Sequence, residues 1–298
     1  MAARRLLVVA DDYGIGPATS AGILDLCRNG PVTATVLLAN SPYAEGAVRD
    51  WRAVCPPADL GWHPALTIDR PVCPAGEVPS LVDHDGRFHS LGGLMMRLGM
   101  GKIRPTDVYS EFTAQLERFR ELTGQWPAVV NSHHHVQVFP LIGAALRAVL
   151  RDMGIRPYLR RVGEPLRTLA LVSGARLKRV FLTLKGRRES RRQSVEGFPG
   201  ADFLAGITDP PCVRGAGFFA GWLRQCPGVV VELTCHPGNE DESLLGRDAR
   251  AGDGQLERRP AERDLLRAAA FRDACRSAGF ELVRPSDLIA RRDQRRAA

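Results

Sequence analysis

The sequence predicts an α/β protein, a distorted TIM-like (β/α) barrel of about seven parallel strands. Three observations predict it. Short apolar runs alternate with segments of helical periodicity along the chain. The runs are apolar at nearly every position, as strands covered on both faces are. Four of them end in groups that bind metals or move protons: Asp11-Asp12 after 6–10, His63 after 59–62, His133-His134-His135 after 128–130, and His236 after 229–235. An open doubly wound sheet gathers its ligands at one switch point, whereas groups closing four separate strands converge most easily in a barrel.

The elements follow in order. Residues 6–10 form the first strand, and 18–28 a helix stopped by Asn29-Gly30. Residues 32–39, rich in Val, Thr and Leu, form the second strand. A helix over 43–54 leads to a third strand at 60–66. Val108, Phe112, Leu116, Phe119 and Leu122 recur at helical spacing and stop at Gly124. The fourth strand carries the histidine triplet, so alternation places His133 and His135 on one face and His134 on the other. Leu141, Ala145, Leu146, Val149 and Met153 mark the next helix, ending at Gly154. Strands at Tyr158-Leu159, before His236 and at 280–283 complete the set, with a helix starting near Pro260. Two segments break the rhythm and are read as insertions on the functional side, lids or substrate walls: 67–104, rich in Gly and Pro, and the basic 163–217. No repeat is visible, and 1–298 reads as a single barrel domain.

A chain of 298 residues buries a sizeable core, and 44% hydrophobic with 25% charged residues is ordinary for a soluble protein. The basic start gives way to two aspartates after 6–10, too soon for a secretory signal. No run approaches the ~20 apolar residues of a membrane span, so a cytoplasmic location is expected. The seven cysteines include no C-x-x-C pair, which argues against a zinc ribbon or redox motif and for buried thiols. The net charge of +8 is uneven: Arg176, Lys178, Arg179, Lys185, Arg187, Arg188, Arg191 and Arg192 accompany a single acid, Glu189. This stretch reads as a solvated insertion, or more sharply as a contact for anionic lipid headgroups or a phosphorylated substrate. Nucleic acid is set aside, because no aromatic residues interleave with these charges to stack on bases.

Three adjacent imidazoles have no ordinary packing role. Asp12, His63 and His133 could supply an Asp-His-His set for a divalent cation, zinc or magnesium foremost, with a position left for water. Asp11, diverging from Asp12 on the strand, could take the proton of the attacking water, and His236 could protonate the departing group. That assembly suits hydrolysis of an amide or ester. A glycosidase would need two carboxyl groups converging across a bond, which adjacent strand aspartates do not provide. Hydrolysis of another ester or phosphoester, and a barrel that binds glycans without turnover, are the alternatives. His84 and His89, flanking Asp85-Gly86, read as turn residues.

The motifs Ala10-Asp11-Asp12-Tyr13-Gly14, Gly61-Trp62-His63-Pro64-Ala65-Leu66-Thr67, Asn131-Ser132-His133-His134-His135-Val136 and Glu232-Leu233-Thr234-Cys235-His236-Pro237-Gly238 resemble the YdjC-like carbohydrate deacetylases. That family includes chitooligosaccharide deacetylases and a branch associated with hopanoid biosynthesis. Weaker similarity lies at 30–40 and 81–88. The resemblance implies a TIM-like barrel, one divalent metal, and hydrolytic removal of an N-acetyl group from an amino sugar. It assigns Asp12, His63 and His133 as metal ligands, Asp11 as the base and His236 as a group assisting the leaving amine. Tyr13, Asn131 and His135 join them as substrate-binding candidates, and a homodimer is implied. Asn131 stands where many members have Asp, and Gln137 where many have His. The basic stretch is unlike the compact chitooligosaccharide enzymes and points to a phosphorylated, lipid-linked or membrane-proximal glycan.

Overall fold

The computed structural model describes residues 3–290 except 211, 212, 214 and 216. Its strands are β1 (Arg4–Tyr13), β2 (Ala34–Leu37), β3 (Asp59–Trp62), β4 (Val129–Val130), β5 (Tyr158–Leu159), β6 (Phe203–Ala205), β7 (Val230–Cys235) and β8 (Phe280–Leu282). They form one sheet in the order β5-β4-β3-β2-β1-β7-β6, and every pairing is parallel. The short β8 pairs with Arg4–Leu6 at the start of β1.

The sheet is strongly curled. Five strand spacings separate β5 from β7, about 24 Å in a flat sheet. Yet the Tyr158 hydroxyl on β5 donates to Glu232 Oε2 on β7 at 2.8 Å. The edge strands β5 and β6 are joined through flanking chain, by Leu159 N to Pro199 O at 2.8 Å and Leu204 N to Gly163 O at 3.0 Å. The expected distorted barrel is therefore present.

Alternation sorts each strand into two packed layers. Leu7, Val9, Ala34, Val36, Val129 and Tyr158 fill the interior. Leu6, Val8, Ala10, Leu60, Trp62, Val130, Leu159, Val231, Leu233 and Cys235 face the surrounding helices. The interior phase, followed to the strand ends, reaches Asp11, His63, Asn131, Arg160 and His236 in turn. One geometrical rule thus delivers five functional candidates to one end of the barrel.

The helices include α1 (Pro17–Asn29), α2 (Ala44–Val54), α3 (Leu91–Gly99), α4 (Pro105–Thr123) and α5 (Pro140–Asp152), then α6 (Leu166–Leu171), α7 (Arg176–Val195), α8 (Phe218–Gln225), α9 (Gln255–Arg267) and α10 (Ala269–Ser277). Helix α4 ends as expected at Gly124, with φ 77°. Four expectations need correction. The histidine triplet is not on a strand: β4 ends at Val130, and His133–Val138 is a 3-10 segment with His134 and His135 at positive φ. The third strand stops at Trp62, short of 66. Pro260 lies inside α9 rather than at its start. The segment 163–217 is no simple insertion, since it supplies β6 to the sheet and the helices α6 and α7. Helix α7 turns Arg179, Leu182, Thr183, Gly186, Glu189 and Gln193 inward, while Arg176, Lys178, Lys185, Arg187, Arg188 and Arg191 stay exposed, so the expected solvated stretch takes the form of a helix with one packed face. Of the cysteines, Cys27, Cys226, Cys235 and Cys275 are buried free thiols, while Cys55 is exposed and Cys73 half-buried. Cys212 lies outside the described residues.

Candidate active site

A cavity of about 410 Å³ opens at the C-terminal ends of the strands, lined by Asp11, Asp12, the histidines 63, 133, 134, 135 and 236, and Asp248. Asp11 enters it on the interior phase of β1. Asp12, one residue on, would point outward on a regular strand. Its φ of 69° and the shifted register between β1 and β2 break the alternation, so both carboxylates reach the cavity. The expected divergence of the pair is replaced by a bulge.

Asp12 Oδ1 receives two imidazole nitrogens, His63 Nε2 at 3.3 Å and His133 Nδ1 at 3.0 Å. Donors held about 2.1 Å from one tetrahedral centre stand about 3.4 Å apart, so these three atoms fit a single cation. The partners on the far side of each ring agree. Asn131 Oδ1 takes the hydrogen bond of His63 Nδ1. Asp248 Oδ1 lies 3.2 Å from His133 Nε2. Both contacts leave the convergent nitrogens free as lone-pair donors, the arrangement that orients metal-ligating histidines. Burial opposes charging His133, but the hydrogen bonds it donates to the Asp12 and Asp248 carboxylates carry its imidazole up to about 10. A proton there occupies the position a cation would take. Asp12 Oδ2 binds Arg259 at 2.9 Å, and Arg259 also reaches Asp248 at 3.1 Å. His134 and Asp248 form a second trio with His133.

Asp11 is held differently. Arg160 grips it in bidentate fashion at 2.6 and 2.8 Å, Asn131 Nδ2 donates to Oδ1 at 2.9 Å, and Thr234 Oγ1 to Oδ2 at 3.2 Å. Burial alone would raise its carboxyl, yet the Arg160 guanidinium outweighs burial and keeps it well below the usual carboxylate range. Arg160 Nε also binds Glu232 Oε1 at 2.5 Å. His236 Nε2 stands 3.9 Å from Asp11 Oδ2, while Arg258 donates to its Nδ1 at 2.8 Å. Burial and the Arg258 charge press this imidazole well below its ordinary value. It is therefore neutral, with its proton on Nε2.

Two substrate-binding candidates are misplaced by sequence reasoning. The Tyr13 hydroxyl donates to Ala47 O at 2.7 Å and its ring meets Trp51, so Tyr13 belongs to the helix layer. Asn131 is fully buried behind the cavity, where it ties His63 to Asp11. His135 does line the cavity. Arg160, Asp248, Arg258 and Arg259 were missed. Arg160 closes an apolar strand just as His63 does, but β5 is only two residues long. Glu232, a charge within the apolar run of β7, was the other legible signal. Asp248 sits in a loop where nothing in the sequence marks it.

The family model of YdjC-like proteins matches residues 5–277. This chain belongs to the YdjC-like family. The chain is 37% identical over 246 residues to a mouse protein named carbohydrate deacetylase, covering 78% of each chain. It is 28% identical over 240 residues to a chitooligosaccharide deacetylase of Yersinia pestis (strain Pestoides F), covering 80% of this chain and 84% of the other. Among solved structures, an Enterococcus faecalis V583 protein named for cellobiose-phosphate cleavage superposes with a TM-score of 0.72 at 24% identity, covering 96% and 99%. That last likeness shows a shared fold alone. Among the described residues no helix is long and apolar enough to cross a membrane.

Proposed function

We propose that this chain is a metal-dependent deacetylase that hydrolyses the N-acetyl group of an amino sugar or its glycoconjugate. The observation that carries the proposal is the meeting of Asp12 Oδ1, His63 Nε2 and His133 Nδ1 beside Asp11. The names of the mouse and Yersinia relatives supply the substrate class.

Asp12, His63 and His133 would hold a divalent cation, zinc or magnesium. When bound, such an ion polarises the acyl oxygen and makes water a competent nucleophile at neutral pH. Asp11, kept ionised by Arg160, accepts the proton that the water loses as its oxygen bonds to the acyl carbon. As the C–N bond breaks, that proton passes to the leaving nitrogen, giving acetate and the free amine. Neutral His236 presents Nε2–H to the same space and assists the leaving amine as a hydrogen-bond donor, with Arg258 fixing its tautomer. The full proton comes from Asp11, because a neutral imidazole is a poor acid. His135, on the cavity wall, is in position to touch the sugar. The described barrel acts as one catalytic unit. A cytoplasmic location and a homodimer belong to the same reading, as does contact of the basic stretch with an anionic surface.

The test is acetate release from N-acetylglucosamine oligomers with metal content measured in parallel. Asp12→Ala and His133→Ala should lose both metal and turnover. Full activity in the two variants would defeat the ligand assignment, and turnover of other esters without acetate release would reassign the substrate.

A further inference from the structure

Helix α7 presents an apolar stripe to solvent. Leu177, Val180, Phe181 and Leu184 recur at helical i, i+3, i+4, i+7 spacing. That pattern normally marks the face a helix buries. Here it is the outward face: Leu177 is 89% exposed and Leu184 65%, while the polar Arg179, Thr183, Glu189 and Gln193 are buried beneath. The next two turns of the same face are basic, with Arg187, Arg188 and Arg191 exposed and Lys185 beside them. The one acid of the helix, Glu189, is turned inward onto Arg147.

The stripe is continuous with the cavity mouth. Phe181 and Met95 of α3 both line the active-site cavity. Both are exposed, as are Met96 of α3 and Met100 just past its end. An apolar stripe framed by unopposed cations fits an interface of hydrocarbon below and negative headgroups above. A second copy of the chain fits poorly, because a two-fold contact through α7 would set these cations against each other.

We propose that the α7 face, with the α3 rim, docks the protein peripherally on an anionic lipid bilayer, cavity mouth toward the membrane. Leu177 and Leu184 enter the acyl boundary, and Lys185, Arg187, Arg188 and Arg191 meet the headgroup phosphates. The proposal extends the deacetylase reading by naming the surface from which the site is approached, yet it rests on α7 and α3 alone.

Co-sedimentation with vesicles tests it directly. The full chain should bind vesicles of phosphatidylcholine and phosphatidylglycerol in 7:3 proportion more tightly than pure phosphatidylcholine, and salt should weaken binding. The double variant Leu177→Glu/Leu184→Glu should lose at least about tenfold in vesicle affinity. Arg187→Glu/Arg188→Glu should lose roughly fivefold or more for each charge removed. Neither pair lines the cavity, so acetate release from a soluble N-acetylglucosamine oligomer should persist in both double variants, and far-ultraviolet circular dichroism should be unchanged. Equal binding to neutral and anionic vesicles, or unaltered binding by both double variants, would overturn the proposal. A wild-type dimer that the leucine variants dissociate, with no vesicle binding, would also overturn it and assign the stripe to self-association. Loss of acetate release with vesicle binding intact would instead strike at the catalytic reading.

Discussion

At the residue scale, Asp11 and Asp12 are neighbours with opposite surroundings. Asp11 faces a guanidinium and hydrogen-bond donors, whereas Asp12 faces two imidazole nitrogens and gives its second oxygen to Arg259. Their substitutions should therefore part. Asp11→Asn should lower kcat about 10²–10⁴-fold with metal content retained, while Asp12→Ala should lose the metal itself. Plasma emission spectroscopy on both variants, alongside acetate release, checks the division. Asn131 touches both halves of the site, so its removal should act on the metal side through His63. Asn131→Ala should weaken metal affinity about 10–100-fold, measured by competition with a chromophoric chelator. An unchanged affinity would mean that His63 is oriented by packing alone. An Asp at 131 would set a carboxylate against Asp11 where the amide now donates.

At the element scale, two junctions hold the site. Strands β3 and β4 approach so closely that a Cβ at Gly61 would stand 2.1 Å from Val129 O. Gly61→Ala should push these strands apart, displacing His63 and Asn131, and yield little soluble protein in expression trials. Helix α1 opens beside the loop that follows His236, and Asp241 accepts from Thr19 N at 2.7 Å and from Ser243. Burial would raise the Asp241 carboxyl, but the hydrogen bonds of Ser243 and Thr19 bring it below its ordinary value. A group depressed by folding stabilises the native state above its unfolded value of about 3.9 and loses that contribution as pH falls through the folded value. Asp241→Asn should accordingly cost about 1 kcal/mol at neutral pH, with the deficit shrinking below about pH 4. Urea titrations of both proteins at several pH values report it.

At the scale of the whole molecule, Arg160 is the link across the barrel. From the end of β5 it binds Asp11 of β1 and Glu232 of β7, all buried, and Tyr158 of β5 adds a second bond to Glu232. Removing one partner of a buried pair leaves an uncompensated charge, which costs about 3–5 kcal/mol. Arg160→Met should therefore lower Tm sharply as well as abolish turnover, whereas Asp11→Asn should lower Tm less. Comparable melting of the two variants would show that the interior network is not what holds the curled sheet closed.

The sequence by itself determined the barrel and its parallel strands and marked Asp11, Asp12, His63, His133 and His236 as candidates, because a polar group following an apolar run is a local signal. It did not determine which way those groups point. The positive φ at Asp12 and the 3-10 turn at His133 override alternation, and only chain packing imposes them. Nor did it show that α7 is a helix with its apolar stripe outward, since periodicity reports a stripe but not the side on which the protein lies. Arg160 and Asp248 came from elements too short or too irregular to carry a pattern, and Arg259 from the polar buried face of α9, which apolar periodicity does not mark. Their roles arise where distant segments meet, and that meeting is a property of the tertiary fold.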